Sequence, residues 1–265
     1  MIRLSDTEFG QFQRFIFETA GITLTDAKKA LVSGRLAKRL HACSLRSYGE
    51  YFRLLGQSPQ ELQNAVDLLT TNETYFFREP KHFQFLKRFI TAGEARRSAV
   101  RIWSAAGSTG EEAYSIAMLL EDCLPGQPWE VVASDISTRV LERARAGHYS
   151  MGRIDNFPPG YLQRFCLKGK DAQEGTMLIE RRLRNKVRFM QVNLNAPLPH
   201  LGMFDVVFLR NVLIYFNTET KRKVVGRVLS ALKPAGYLLI GHSESLIEVT
   251  QAVELVAPAI YRKPP

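Results

Sequence analysis

Two stretches hold residue types that could do chemistry. The first is AAGSTGEE at 105–112, directly after the apolar run Val100-Arg101-Ile102-Trp103-Ser104. Strand, small-residue turn and helix is the arrangement that brings a ligand against backbone amides at a helix N-terminus. It is not a clean GxGxxG, because Ala105 and Ala106 stand where glycine is expected. Many such turns use small residues only for packing. The next apolar run, 130–134, closes on Asp135, which lies 25 residues beyond Gly110. An acid about 20 residues past a glycine-rich turn commonly takes both hydroxyls of a ribose. Turn and acid together argue for a nucleoside-containing cofactor. The competing reading makes Asp135 the N-cap of a helix over 137–146.

The second stretch is TTNETYFFRE at 70–79. Adjacent aromatics, an amide, several hydroxyls and one arginine suit a small ligand with polar and apolar parts. A domain linker with buried aromatics would satisfy the same residues.

What must position these groups changes character at that stretch. Before it, the spacing is helical. Ser5 and Glu8 form a capping box ahead of Phe9, Phe12 and Ile16, and Gly21 can close the helix. A second helix starts near Thr25 or Asp26, with Val32, Leu36 and Leu40 as its stripe. Lys28, Arg35 and Arg39 share a face beside that stripe, and with Lys38 they make the region strongly basic. Such a face is either merely solvated or a docking surface for an acidic helix or nucleic acid. Another helix opens at Ser58-Pro59 and buries Leu62, Ala65, Val66 and Leu69.

After the seam, helices alternate with short strands. A helix starts at Pro80, and strands are expected at 100–104, 130–134, 187–192, 204–209, 236–241 and 259–262. A helix is expected over 218–232, broken by Pro234-Ala235-Gly236. Residues 147–186 interrupt the alternation and read as an inserted β-hairpin, 166–169 against 176–180. Polar residues gather at strand ends: the 108–110 turn, Asp135, Asn193 and Asn211. In an open α/β sheet ligands bind along that edge, where strand order reverses. The division expected is a helical segment over 1–71 and an α/β domain over 72–265.

Composition sets the remaining bounds. The 265 residues are 45% hydrophobic and 23% charged, ordinary for a globular protein. A net charge of +10 invites an acidic partner. Three cysteines without CxxC spacing favour reduced thiols over a disulfide or zinc framework. No signal-like or membrane-spanning apolar run is present in the sequence, so a cytoplasmic location is expected, with no membrane insertion.

The ordered motifs TTNETYFFRE, SAAGSTGEE, ASDIS, VNLN, RNVLIYF and GHSES resemble the CheR-type chemotaxis methyltransferases over nearly the whole chain. That resemblance implies a class I, Rossmann-like S-adenosylmethionine methyltransferase sheet, a small all-helical N-terminal domain and an inserted antiparallel β-hairpin subdomain. It implies methyl transfer from S-adenosylmethionine to glutamate side chains of chemoreceptors, with S-adenosylhomocysteine as product. The cofactor contacts it implies are Asn72, Thr74, Arg78, Glu112, Asp135, Asn193, Leu194, Asn211 and Val212. Asp135 would take the ribose, the Asn193 region the adenine, and Glu112 the ammonium of the amino-acid portion. Arg78 and Tyr215 would stand near the methyl group, with Tyr75, Phe76 and Tyr215 helping to dry the site. No metal is implied. The partners implied are receptor cytoplasmic domains, with recruitment to receptor arrays, and the basic face of Lys28, Arg35, Lys38 and Arg39 would meet their glutamate-rich helices. In the family the hairpin can bind a receptor C-terminal peptide. Here Asp171 stands where the peptide-binding pattern has glycine, and Lys168 where it has arginine. A nucleic-acid methyltransferase would also suit the charge, but no base-stacking aromatic motif accompanies it, and no nucleic-acid partner is expected.

Overall fold

The computed structural model describes residues 2–92 and 99–265. Its helical segment comprises α1 (Asp6–Ala20), α2 (Lys29–Ala42), α3 (Tyr48–Leu55) and α4 (Pro59–Leu69). The expected caps form: Ser5 accepts from the Glu8 amide while Glu8 reaches back, and Gly21 closes α1 at φ 73°. Helix α3 was not anticipated. Ser47 caps it through the Glu50 amide, and it turns Tyr48, Tyr51 and Leu55 inward at spacings of three and four. Those signals are in the sequence. The four helices enclose their own core, built on Phe12, Ile16, Leu36, Tyr51 and Val66.

After the seam come α5 (Pro80–Thr91), β1 (Val100–Ser104), α6 (Glu111–Cys123), β2 (Trp129–Asp135) and α7 (Thr138–Ala146). The insertion holds β3 (His148–Ser150), α8 (Tyr161–Phe165), β4 (Cys166–Lys168) and β5 (Thr176–Ile179), followed by α9 (Arg181–Arg184). The chain ends with β6 (Val187–Gln191), β7 (Phe204–Leu209), α10 (Thr218–Ser230), β8 (Leu232–Ile240), β9 (Glu254–Ala257) and β10 (Ile260–Arg262).

Among the described residues, seven strands form one sheet in the order β6-β2-β1-β7-β8-β10-β9. The first five run parallel, and β10 pairs antiparallel with both neighbours. The period of two sorts side chains to the two faces. Val206 and Phe208 enter the layer under α5 and α6, while Val207 and Leu209 enter the layer with Val224 and Val228 of α10. Strand order reverses between β1 and β7, which opens a crevice at their C-terminal ends.

The expected hairpin forms, β4 against β5, and His148–Ser150 extends it to the order β3-β5-β4 as an edge strand too short to leave a pattern. One expectation is corrected. Helix α10 stops at Ser230, and β8 starts at Leu232, before Pro234. The missing N–H of Pro234 is tolerated because register against β7 shifts between Phe204 and Val206, where the ladder is already interrupted.

Candidate active site

The crevice holds a cavity that opens to solvent. Asn72, Thr74, Arg78, Glu112, Asp135, Asn193, Leu194, Asn211, Val212 and Tyr215 all line it. Ala20 and Ile22 from the end of α1 line it as well, so the helical segment supplies one wall. That wall is fastened by a bridge between Ile22 and Phe216 and by the Thr23 amide donating to the Tyr215 carbonyl.

Asp135 closes β2 and is 7% exposed. It is not the cap of α7; Ser137 is, accepting from the Val140 amide. The Asp135 carboxylate accepts one backbone N–H from Ser108 and one from Ser137, each at 3.0 Å. The Ile136 amide is drawn to it as well, and the carboxylate, with about four acceptor sites, keeps capacity for a further donor such as a ribose hydroxyl. Burial pushes its pKa up to about 6, against the opposing pull of those amides. Protonation removes an acceptor, so cofactor affinity should fall as pH drops through about 6 and hold constant above it. Titration calorimetry at pH 5 to 8 reads this directly.

The turn that reaches Asp135 is shaped by Gly110, which sits at φ 97° with Ala144 Cα 3.1 Å from where a Cβ would be. No larger residue fits between α6 and α7 there. It presents the α6 N-terminus, with Glu112 in the first turn.

Glu112 is not free to act alone. Its Oε1 accepts from Ser104 Oγ at 2.7 Å and its Oε2 pairs with Arg210 Nη1 at 2.9 Å. Burial raises its pKa, with Arg210 and Ser104 opposing. Arg210 also pairs with Glu79 at 3.0 Å and donates to the Arg78 carbonyl, with only 2% of its side chain exposed. Burial would raise Glu79 too, but Arg210, the His242 amide and Asn211 bring it below its ordinary value. One guanidinium therefore ties strand β7 to the seam and to α6. A cation beside a carboxylate at the cavity wall complements a zwitterionic amino-acid group. Arg210 opens the motif RNVLIYF, and the signal in the sequence that could single it out is a lone charge at the end of an apolar strand.

Glu79 also meets His82 at 3.3 Å and His242 at 3.9 Å. The carboxylate oxygen that both imidazoles face is the one Arg210 holds, and His82 is pushed down to about 3 by burial and then by Arg210. The cluster is thus neutralised by a guanidinium, which disfavours a divalent cation at the same oxygen.

The seam splits its aromatics. Phe76 was expected to dry the site, but it turns away into the core, 5.0 Å from the Tyr149 ring and 4.9 Å from Phe157. Phe77 joins Phe83, Phe157 and Tyr161. These rings anchor the seam to the insertion and leave Asn72, Thr74 and Arg78 on the cavity side. Arg78 donates from Nη1 to the Glu73 carbonyl at 3.0 Å, and its guanidinium lies 5.6 Å over the Tyr75 ring. Ser108 and Asn211, which line the cavity, and Phe77 and Glu79, in the seam beside it, have positive φ. Such strain persists where surrounding contacts over-determine it, often at functional sites.

The amide of Asn193 is spent elsewhere. Its Nδ2 donates to the Thr19 carbonyl and its Oδ1 accepts from the Asn195 amide, pinning α1 to the strand end. Its backbone, with Leu194, remains at the cavity. Asn211 is held by Glu244, whose carboxylate gathers the amides of Asn211, Gly241 and Ile214.

Of the basic face, Arg35 and Arg39 are engaged within the fold. Arg35 Nη1 donates to the carbonyls of Leu68, Leu69 and Thr70, and Arg39 pairs with Glu61. Both therefore hold α2 against α4. Lys28 and Lys38 are exposed.

The family profile described as the CheR methyltransferase SAM-binding domain matches residues 72–261, and the profile for the CheR all-alpha domain matches residues 7–70. The chain is 42% identical to the chemotaxis protein methyltransferase of Escherichia coli, covering 98% of this chain and 92% of that one. It is 40% identical to that of Salmonella typhimurium over 98% and 91% of the two chains. Chemotaxis protein methyltransferase 2 of Pseudomonas aeruginosa is 39% identical over 96% and 92%.

Proposed function

This chain belongs to the CheR family of methyltransferases, and from that premise we propose that it methylates glutamate γ-carboxylates of chemoreceptor cytoplasmic helices. The observation that carries the reading is the cavity itself, lined by Asp135 for a ribose, by the Glu112–Arg210 pair for an amino-acid group, and by Arg78. When bound, S-adenosylmethionine supplies an electrophilic methyl group and leaves as S-adenosylhomocysteine.

The chain's own residues align and dry the reaction. A glutamate, with an ordinary pKa of about 4.3, is already ionised at neutral pH, so no general base is required. Water opposes the reaction by solvating the opposite charges that must meet, so exclusion of solvent and alignment carry the catalysis. Among the described residues, Arg78 has Nη1 on the Glu73 carbonyl, which leaves its Nε and Nη2 edge for a carboxylate. Tyr215 and Phe216 also line the cavity. The single-turnover rate at saturating cofactor should be flat from neutral pH to pH 9. A rate still climbing toward about 10, as an amine acceptor requires, rules out the carboxylate.

The exposed Lys28 and Lys38 are the part of the basic face available to an acidic receptor helix. A Lys28→Glu/Lys38→Glu double variant should lower kcat/KM for receptor fragments about three- to tenfold at low salt, with cofactor affinity unchanged. Equal loss of both would reject this docking face.

We also infer that the insertion offers a groove to a receptor C-terminal peptide and so holds the protein at receptor arrays. His148, Leu167, Lys168, Lys170 and Thr176 line that groove, with two cations suited to a terminal carboxylate. Asp171 adopts φ 49°, the left-handed conformation that glycine takes freely, so the aspartate preserves a glycine-like backbone there.

A further inference from the structure

The turn that carries Asp135 is held from outside its own domain. Asp67, near the end of α4, is 5% exposed and points its carboxylate at the first turn of α7. Its Oδ1 accepts from the Thr138 amide at 3.0 Å and from Gln63 Nε2 at 2.8 Å. Its Oδ2 accepts from Thr138 Oγ1 at 2.9 Å and from the Arg139 amide at 3.3 Å. Arg139 closes the loop by donating from Nη2 to the Asp67 carbonyl at 3.1 Å.

The first amides of a helix have no partner within it. In α7, Ser137 satisfies the Val140 amide and Asp67 satisfies those of Thr138 and Arg139. The anion also meets the positive end of the helix dipole. Two further amides grip the same turn: Gln63 and Gln191 each donate to the Ile136 carbonyl at 3.1 Å. Ile136 itself packs on the core of the helical segment.

Residues 136 to 139 are therefore fixed by α4, and Asp135 is the residue just before them. From Asp135 the connection continues through the Ser108 amide, and from Ser108 Oγ to the Asn72 carbonyl at 2.9 Å, back to the seam. Asp67 does not line the cavity. It cannot touch a ligand there, yet it closes a ring of contacts around one.

We propose that Asp67 is a positioning residue for the cofactor site, a carboxylate of the helical segment that sets nucleoside affinity by fixing the turn after Asp135. This rests on the cofactor reading above. It makes the helical segment part of the binding apparatus through a defined contact, and it assigns that segment a role beyond docking.

The test is calorimetry with S-adenosylhomocysteine on wild type, Asp67→Ala, Asp67→Asn and Asp135→Ala, with thermal melts and turnover at saturating cofactor in parallel. Binding should weaken about tenfold in Asp67→Ala and about threefold in Asp67→Asn, which keeps one acceptor oxygen, while saturated turnover stays within about twofold. Folded Asp67 variants with wild-type affinity and only a lower melting temperature would overturn the proposal, as would a fall in saturated turnover at unchanged affinity. Should Asp67→Ala fail to fold, Asp67→Asn decides on the same criteria. Absence of binding by wild type would instead strike the cofactor reading, which Asp135→Ala tests separately.

Discussion

An Arg78→Ala protein should fold as wild type does and transfer methyl groups about 10²–10³-fold more slowly, the loss expected when one preorganised donor is removed from a reacting centre. Among the described residues, the Arg78 side chain makes one hydrogen bond, to the Glu73 carbonyl, and a loose contact with the Tyr75 ring, so its removal opens no core. Its neighbours Phe76 and Phe77 anchor the seam independently. The loss should therefore appear in single-turnover rate, with the melting temperature nearly unchanged. Lysine at the same position keeps the charge without the planar edge and should recover only part of the rate. Turnover near wild type in Arg78→Ala would remove it from the catalytic account.

Arg210→Ala should behave in the opposite way, losing stability first. The guanidinium is buried between Glu79 and Glu112, and removing it strands two largely buried carboxylates without their common cation. Breaking a buried pair by deleting one partner costs about 3–5 kcal/mol, a large share of the 5–15 kcal/mol that holds a typical domain together. The deficit should grow with pH. Without Arg210, both carboxyl groups would have folded-state pKa values raised above their unfolded ones. Such groups favour the folded state below the unfolded pKa, and that contribution is lost as pH rises through the folded pKa. Melts of the variant from pH 5 to 8 should thus diverge progressively from wild type. A parallel offset at every pH would mean that Arg210 acts through packing alone. Cofactor affinity should also fall in any folded variant, because the Arg78 carbonyl and Glu112 lose their common anchor.

Much of this architecture could be read in the residues because local signals and tertiary packing agree. The capping box at Ser5, the Ser58 cap followed by Pro59, the αL glycine at 21 and the apolar strands at 100–104 and 204–209 all specify their elements without help from distant contacts. Strand-end polar groups converged because a parallel sheet places every strand end on one edge. Other features depend on information that periodicity lacks. Strands β3 and β9 have three and four residues, and their partners define them. Residue type alone could not tell which way Phe76 faces; the insertion decides it by supplying Tyr149 and Phe157. The basic face of Lys28, Arg35, Lys38 and Arg39 reads as four equivalent cations, yet Arg35 and Arg39 meet the carbonyls and acid of α4, a relation invisible before the helices are packed. The roles of Arg210 and Asp67 arise from contacts more than 70 residues apart in the chain. The strained backbone at Phe77, Glu79, Ser108 and Asn211 also arises only in the fold.

The central claim is carboxylate methylation at this cavity, and mass spectrometry of a receptor cytoplasmic fragment incubated with the protein and methyl-labelled S-adenosylmethionine tests it most directly. Label should appear on glutamate side chains as esters that release methanol in mild base, and it should vanish when those glutamates are replaced by alanine. Label on lysine, arginine or nucleic acid, stable to base, would contradict the account.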